Sequence, residues 1–351
     1  MKTLKIGIIG CGGISATHID GLKKAKDGVI TALCDINPER LKAKGDQIGI
    51  PEERRFSDYR DLIACPEVDA VEICTPNYLH VPMAEAVVRA GKPVNVEKPL
   101  SCTMADVHKL TDALKENPQP NMMCFSYRFR PAVRFAKYIL DKGMLGDITT
   151  VNVEYLKDSA YMPRRKLEWR FDKEKAGTGV LGDLGVHLID MTRYLVGDFK
   201  AVCARKAVVV KERQKEDSDE IGTVTTDDYC MFLADLEGGA TASFVVTRCA
   251  HGQKNTIKYD IFGTKGVISF NLNDPTVLGV CVGEIDLKAG GLHTVKVPAE
   301  FNASQEQAFI DIALGRYKEA PADINEGVRC QKILDALSKA SDENRWIEIE
   351  S

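Results

Sequence analysis

Three kinds of segment in this sequence carry side chains whose type and spacing can do chemistry. The first is Gly10-Cys11-Gly12-Gly13-Ile14-Ser15, a glycine-rich turn that follows a short apolar run and opens an amphipathic stretch. In that setting one glycine makes the tight turn and the next lets an anion approach the backbone. The free N–H groups at the start of the following helix then bind a pyrophosphate. Ser15 stands at the third glycine position, and a residue this small still lets the helix pack closely on the strand. Asp35 ends the second apolar run, where a carboxylate accepts both ribose hydroxyls of an adenosine and repels a 2′-phosphate. The pair predicts a dinucleotide site that prefers NAD to NADP. Cys11, Ile14 and Ile36 are expected beside the cofactor, and Arg40 is the residue able to weaken the preference.

The second kind of segment follows later apolar runs. Thr75-Pro76-Asn77-Tyr78-Leu79-His80 comes after one, and Glu97-Lys98-Pro99 after the next. Ligands of open α/β sheets bind outside the carboxyl ends of the strands, so Thr75, Pro76, Asn77, His80, Glu97 and Lys98 are expected on the cofactor side. The third is Gly182-Asp183-Leu184-Gly185-Val186-His187. If a helix begins at Asp183, its carboxylate and His187 share one face and the acid can orient the imidazole; the competing reading makes Asp183 only a helix cap. No second His or Cys lies at ligand spacing nearby, so no metal is predicted.

These residues need elements to position them. Up to about residue 125 short apolar runs alternate with amphipathic stretches, the pattern of parallel βαβ units. Strands are expected over 5–9, 29–34, 70–74, 93–96 and 122–125, with helices over 14–25, 38–48, 59–64, 81–90 and 104–115. The pattern then changes. Helices are expected over 131–141 and 184–195, and strands over 148–155, 202–210, 223–236, 240–247 and 256–262. Connections too short for crossover helices imply a largely antiparallel sheet. The mixed-charge run 211–220 reads as a solvated loop, and Gly238-Gly239 as a hairpin turn. Helices over 304–314 and 325–340 and a strand over 346–349 close the chain. The division expected is 1–125 and 126–351, the last helix being able to pack back on the first domain.

A length of 351 residues suits about two domains, and 44% hydrophobic with 28% charged residues is a globular composition. A formal net charge of −4 gives no broad attraction to nucleic acid or anionic lipid. The opening residues read as a strand entering a turn rather than a secretory signal, and no run approaches the ~18 apolar residues of a membrane span. Eleven cysteines, an odd number with no Cys-x-x-Cys pair, fit reduced thiols in a cytoplasm.

Taken together, Gly-x-Gly-Gly-Ile-Ser at 10–15, Glu97-Lys98-Pro99 and Gly-Asp-Leu-Gly-Val-His at 182–187 resemble the glucose-fructose oxidoreductase, inositol dehydrogenase and MocA (Gfo/Idh/MocA) family. The resemblance implies an N-terminal Rossmann-type, doubly wound parallel sheet. A C-terminal α/β domain with an open, largely antiparallel mixed sheet follows, its outer face making homodimer or homotetramer contacts. It implies reversible hydride transfer between NAD and a secondary hydroxyl carbon of a sugar, inositol or related polyol. Lys98, Asp183 and His187 match the family's catalytic positions. Asn77 and His80 match its nicotinamide-side loop, and Arg128 matches a substrate-side position. The resemblance also implies a cis Lys98–Pro99 peptide.

Alcohol oxidation needs a base near the oxygen, and an imidazole with a reference pKa of ~6.5 suits that task better than an amine at ~10.4. His187 is therefore the expected base, Lys98 the hydrogen-bond donor to the developing alkoxide, and Asp183 the group that fixes the imidazole; Lys98 and His187 exchange roles if burial lowers the amine's pKa. The basic stretch offers Tyr161 to the substrate and Trp169 with Arg170 to close over nicotinamide or a sugar ring; Arg164, Arg165 and Lys166 lie in the same stretch, and His251 at a later strand end. Two other readings stay open: NAD-assisted glycoside cleavage, which begins with the same oxidation, and a non-catalytic NAD(P)-sensing regulator.

Overall fold

A computed structural model of the chain describes residues 3–162, 165–216 and 218–350. Arg164, one of the basic-stretch candidates, lies outside them. The chain divides into two units, Met1–Phe125 with Ala303–Arg329, and Ser126–Asn302 with Cys330–Ser351.

In the first unit, β1 (Leu4–Ile9), β2 (Gly28–Cys34), β3 (Arg55–Phe56), β4 (Ala70–Ile73), β5 (Val94–Val96) and β6 (Asn121–Met123) form one sheet ordered β3-β2-β1-β4-β5-β6. Every pairing in it is parallel. This is the doubly wound order whose direction reverses between β1 and β4, so the ends of β1, β2, β4 and β5 frame a ligand position. Helices α1 (Ser15–Leu22), α2 (Pro38–Ile48), α3 (Tyr59–Ala64), α4 (His80–Arg89) and α5 (Val107–Glu116) make the crossovers. The strands bury both faces, with Ile6, Ile8, Leu33, Val71 and Ile73 fully enclosed. Two polar side chains, Glu72 on β4 and Asn95 on β5, are also fully buried. The two-residue strand β3 is too short to produce a readable apolar run, and the sequence reading omits it.

The segment 303–329, expected in the second domain, clusters with the first unit. Ala322 accepts a hydrogen bond from the Met123 N–H at 2.6 Å, and Ile324 donates to Asn121 Oδ1 at 2.8 Å. Gln307 receives the Lys26 N–H at 2.7 Å, and the Glu306 side chain lies against Gly21, so a Cβ there would have to displace it. These are contacts of distant residues, which periodicity does not encode.

The second unit holds α6 (Pro131–Asp141), the four-residue α7 (Lys173–Ala176), α8 (Val186–Leu195) and α9 (Gly283–Ala289). Helix α10 (Gln305–Ala313) belongs to the first unit, and α11 (Ile324–Glu343) passes from the first unit into the second. Its large sheet joins β7 (Ile148–Leu156), β8 (Phe199–Ala207), β11 (Tyr229–Leu236), β12 (Thr241–Thr247), β13 (Thr256–Gly263), β14 (Gly266–Asn271), β15 (Val277–Val282), β16 (His293–Lys296) and β17 (Ile347–Glu348). The order is β16-β15-β14-β13-β7-β12-β11-β8-β17, antiparallel throughout except for the parallel pair β7–β12. Gly239 takes φ +86° in the turn joining β11 to β12, which is open to glycine at no steric cost.

The charged run 211–220 is not a plain loop. Glu212–Gln214 (β9) pairs antiparallel with Ile221–Thr223 (β10) as a separate ribbon. Arg213 is buried on it, donating to the carbonyls of Ala160 at 2.8 Å and Arg165 at 3.1 Å. The single strand expected over 223–236 is accordingly broken: Asp227 and Asp228 are buried between β10 and β11, spending their carboxylates on backbone N–H groups.

Candidate active site

In the first unit the glycine turn leaves β1 at Gly10, whose φ of +98° and whose approach to the Cys74 carbonyl exclude any side chain; a Cβ would lie 2.7 Å from that oxygen. The turn is tied to the end of β2 through Asp35. Its Oδ2 accepts from the Cys11 N–H at 2.7 Å and its Oδ1 from the Asn37 N–H at 2.8 Å. Ser15 Oγ donates to the Gly12 carbonyl at 2.7 Å and is wholly buried, so the third position satisfies its hydroxyl locally while keeping the helix close. A Cβ added at Gly12 or Gly13 would meet nothing within 4 Å. The outer face of the turn is thus a bare backbone cradle beside the N-terminus of α1, which fits a pyrophosphate. Ile36 is 86% exposed next to Asp35, an uncovered apolar surface suited to an adenine ring, and Arg40 is exposed on the first turn of α2. Burial, helped by Asp35, pushes the Cys11 thiol up to about 12, so it stays protonated.

At the ends of β4 and β5 the predicted residues separate into two roles. Lys98 is partly exposed, and Lys98–Pro99 is a cis peptide. Asn77 opens the turn Asn77–Leu79 and is largely buried. His80 is fully buried, its Nδ1 2.7 Å from the Pro99 carbonyl and its Nε2 2.8 Å from the Thr75 carbonyl. Burial lowers its pKa, and because carbonyl oxygens only accept, the neutral ring donates to one of the two carbonyls and packs against the other; it has no surface to offer a ligand. Glu97, also expected beside the cofactor, is turned inward: one oxygen accepts from the Lys98 N–H at 3.1 Å and the other lies 2.9 Å from His18 Nε2.

In the second unit the Ser126–Phe129 turn is anchored to α8 by Arg128 and Asp190, with Nε–Oδ2 at 2.9 Å and Nη2–Oδ1 at 2.6 Å. Arg128, expected to meet substrate, is buried and committed to this carboxylate. Its neighbour Tyr127 packs edge-on against the His187 ring, centroids 4.6 Å apart. The Tyr127 hydroxyl is 2.9 Å from that of Tyr155, which donates to Asn255 Oδ1 at 3.0 Å. Burial, then Tyr127, raise the Tyr155 pKa, so the Tyr155 hydroxyl stays protonated. Asp183 does not begin an α-helix. Leu181–Gly185 is a π turn running into α8, and such turns re-aim side chains at functional sites. Asp183 is partly exposed and His187 is buried, their four-residue spacing spanning the junction between π and α geometry. Gly179 backs directly onto Asp227, whose carboxylate accepts the Gly179 and Leu181 N–H groups at 2.7 and 2.9 Å and fixes the start of the turn.

Arg170 lies over the Trp169 ring, 4.4 Å from its centroid, and donates to Glu168 at 3.1 Å. Tyr161 is 41% exposed and stacks on His251 at 4.3 Å with 9° between the planes, a flat aromatic surface of the kind sugars pack against.

The chain matches two family models. Residues 4–125 match "Oxidoreductase family, NAD-binding Rossmann fold", and residues 133–269 match the GFO/IDH/MocA C-terminal domain. The chain belongs to the Gfo/Idh/MocA oxidoreductase family. It is 35% identical over 317 residues to levoglucosan dehydrogenase of Pseudarthrobacter phenanthrenivorans, covering 84% of this chain and 80% of that one. It is 28% identical to myo-inositol 2-dehydrogenase of Thermotoga maritima, with 78% of each covered. A solved structure of levoglucosan dehydrogenase in complex with NADH superimposes with a TM-score of 0.90 at 30% identity over 99% of both chains. This family member is thus an NAD-binding oxidoreductase.

Sequence reasoning missed four residues that shape the site of this oxidoreductase. Tyr127 and Asp190 had a signal, standing beside Arg128 and one turn after His187. Tyr155 and His18 had none: each is one polar residue on an otherwise ordinary strand or helix, and only its distant partners give it a role.

Proposed function

We propose that this enzyme transfers a hydride between NAD and a secondary hydroxyl carbon of a sugar, inositol or related cyclic polyol. The observation that carries the reading is the His187 ring held against Tyr127 at 4.6 Å, with Asp183 four residues before it on the π turn. When bound, the nicotinamide supplies the hydride acceptor. His187 takes the hydroxyl proton at an imidazole nitrogen, Tyr127 fixes the ring plane, and Asp183 favours its charged form. Lys98 donates a hydrogen bond to the substrate oxygen as negative charge develops on it. The Tyr161–His251 surface accepts the apolar face of a sugar ring, and Trp169 with Arg170 flank the cofactor. Similarity to the levoglucosan and inositol dehydrogenases supports this substrate class.

The test is a panel of inositols, aldoses, levoglucosan and glycosides scored for NADH absorbance with NAD and with NADP. Turnover is expected on at least one cyclic polyol, with NAD preferred because Asp35 repels a 2′-phosphate. Equal use of NADP would overturn the argument from Asp35 and point to Arg40. Release of an aglycone with no net NADH would favour glycoside cleavage, and cofactor binding without any turnover would favour a sensor.

No described helix is long and apolar enough to cross a membrane, and the eleven cysteines are all free thiols. Together these support a cytoplasmic setting. We further propose a homodimer or homotetramer through the outer face of the large sheet. Met231 and Leu233 on β11 and Phe262 on β13 are exposed there at 53%, 43% and 38%. Leu233→Glu is expected to lower the mass seen by analytical ultracentrifugation; an unchanged mass removes this face from the assembly.

A further inference from the structure

Beneath the cofactor cradle the first unit buries a charged cluster that the proposed reaction does not use. His18 lies on α1, 2% exposed, between two carboxylates. Its Nδ1 is 2.8 Å from Glu72 Oε2 and its Nε2 is 2.9 Å from Glu97 Oε1. Glu72, fully buried on β4, also accepts from Asn95 Nδ2 at 3.2 Å, and Asn95 Oδ1 in turn receives the Cys124 thiol at 3.2 Å. Carboxylate oxygens only accept, so serving both carboxylates requires a proton on each ring nitrogen. Burial works against that charge, but Cys74 and Glu72, with Cys124 behind them, outweigh it and raise the His18 pKa well above its ordinary value.

The cluster touches the catalytic turn at one place. Glu97 Oε1 faces His18, while Glu97 Oε2 accepts the backbone N–H of Lys98 at 3.1 Å. Glu97 is itself only 8% exposed, so its orientation depends on the cation beneath it. Pro99, the next residue but one, is held from its other side by His80 at 2.7 Å. The backbone before Lys98 is thereby tied to the charged His18, while the buried His80 ring packs against the Pro99 carbonyl that follows it.

We propose that His18 is a positioning residue for Lys98, an imidazolium clamp that holds Glu97 and through it the Lys98 backbone at the end of β5. The inference rests on the role given to Lys98 above. His18 is on the helix that opens at the cradle, so the same element that presents N–H groups to the pyrophosphate also sets the turn that carries Lys98. The group acts by fixing geometry and touches neither substrate nor cofactor.

The test compares His18→Gln, His18→Gln/Glu72→Gln, Lys98→Met and His18→Gln/Lys98→Met in the full chain. The Glu72 change keeps the net charge of the cluster when the cation is lost, so this variant remains informative where the single change fails to fold. In the folded His18 variant kcat is expected to fall about a hundredfold while KM and the NADH dissociation constant move less than about threefold. The Lys98→Met background should show no further loss on adding His18→Gln, since both act at one position. Glu97→Gln, which can donate to a neutral His18 and still accept from Lys98, should retain far more activity than Glu97→Ala. Full turnover in the folded His18 variants overturns the proposal, as does a parallel loss of NADH affinity or an additive effect with Lys98→Met. Wild-type turnover in Lys98→Met overturns the functional reading of Lys98 instead, and the clamp's catalytic role with it.

Discussion

Lys98→Met and His187→Ala are each expected to lower turnover about a thousandfold while the NADH dissociation constant changes by less than about tenfold. Neither side chain belongs to the glycine turn, whose backbone is bare at Gly12 and Gly13 and which Asp35 ties to the end of β2. In the proposed reaction Lys98, at the end of β5, presents a cation where alkoxide charge develops, an interaction that strengthens only as the reaction proceeds and so is expected in kcat. In the proposed reaction His187 takes the proton, and alanine there would leave Tyr127 facing a void. Asp183→Asn is expected to be milder than either, because an amide still hydrogen-bonds an imidazole but stabilises its charged form less. Stopped-flow measurement of NADH formation, with fluorescence titration of NADH, separates chemistry from binding. A fully active His187→Ala would remove the imidazole from the proton path, and a collapse of NADH affinity in Lys98→Met would move that lysine to the cofactor.

Asp190→Ala is expected to lower the melting temperature by about 10 °C, reflecting the ~3–5 kcal/mol lost when one partner of a buried ion pair is removed. The Arg128 and Asp190 side chains are 10% and 1% exposed, so the guanidinium left behind would be charged and nearly without solvent. Arg128→Met/Asp190→Leu should be far less destabilising, because apolar replacements leave no orphaned charge. Activity should fall in both variants, since the Ser126–Phe129 turn carries Tyr127 and Tyr127 sets the His187 ring plane. Thermal melts followed by circular dichroism decide the matter. An equal loss in the double variant would mean that the pair acts through packing rather than charge.

Local chemistry determined much of this protein directly from sequence. The helices over 38–48, 59–64 and 131–141 begin and end where they are expected, because their start signals are local. Asn37 caps α2 with Pro38 at its first position, Asp58 caps α3 by accepting the Arg60 N–H, and Pro131 opens α6. The glycine turn was equally legible: Gly10 answers to a steric demand that no other residue meets, Gly12 and Gly13 leave their backbone bare, and Asp35 stands at the strand end where it is expected. Only the tertiary structure decided how the polar side chains were spent. Arg128 faces Asp190, Glu97 and Glu72 face His18, and Arg213 turns a charged run into a ribbon with a buried guanidinium. It also placed Asp183 in a π turn that precedes the helix expected over 184–195, with Asp227 accepting the Gly179 and Leu181 N–H groups. The physical reason is range. Caps, turns and periodicity act within a few residues, whereas a buried charge is stable only beside a partner that the fold brings from far along the chain.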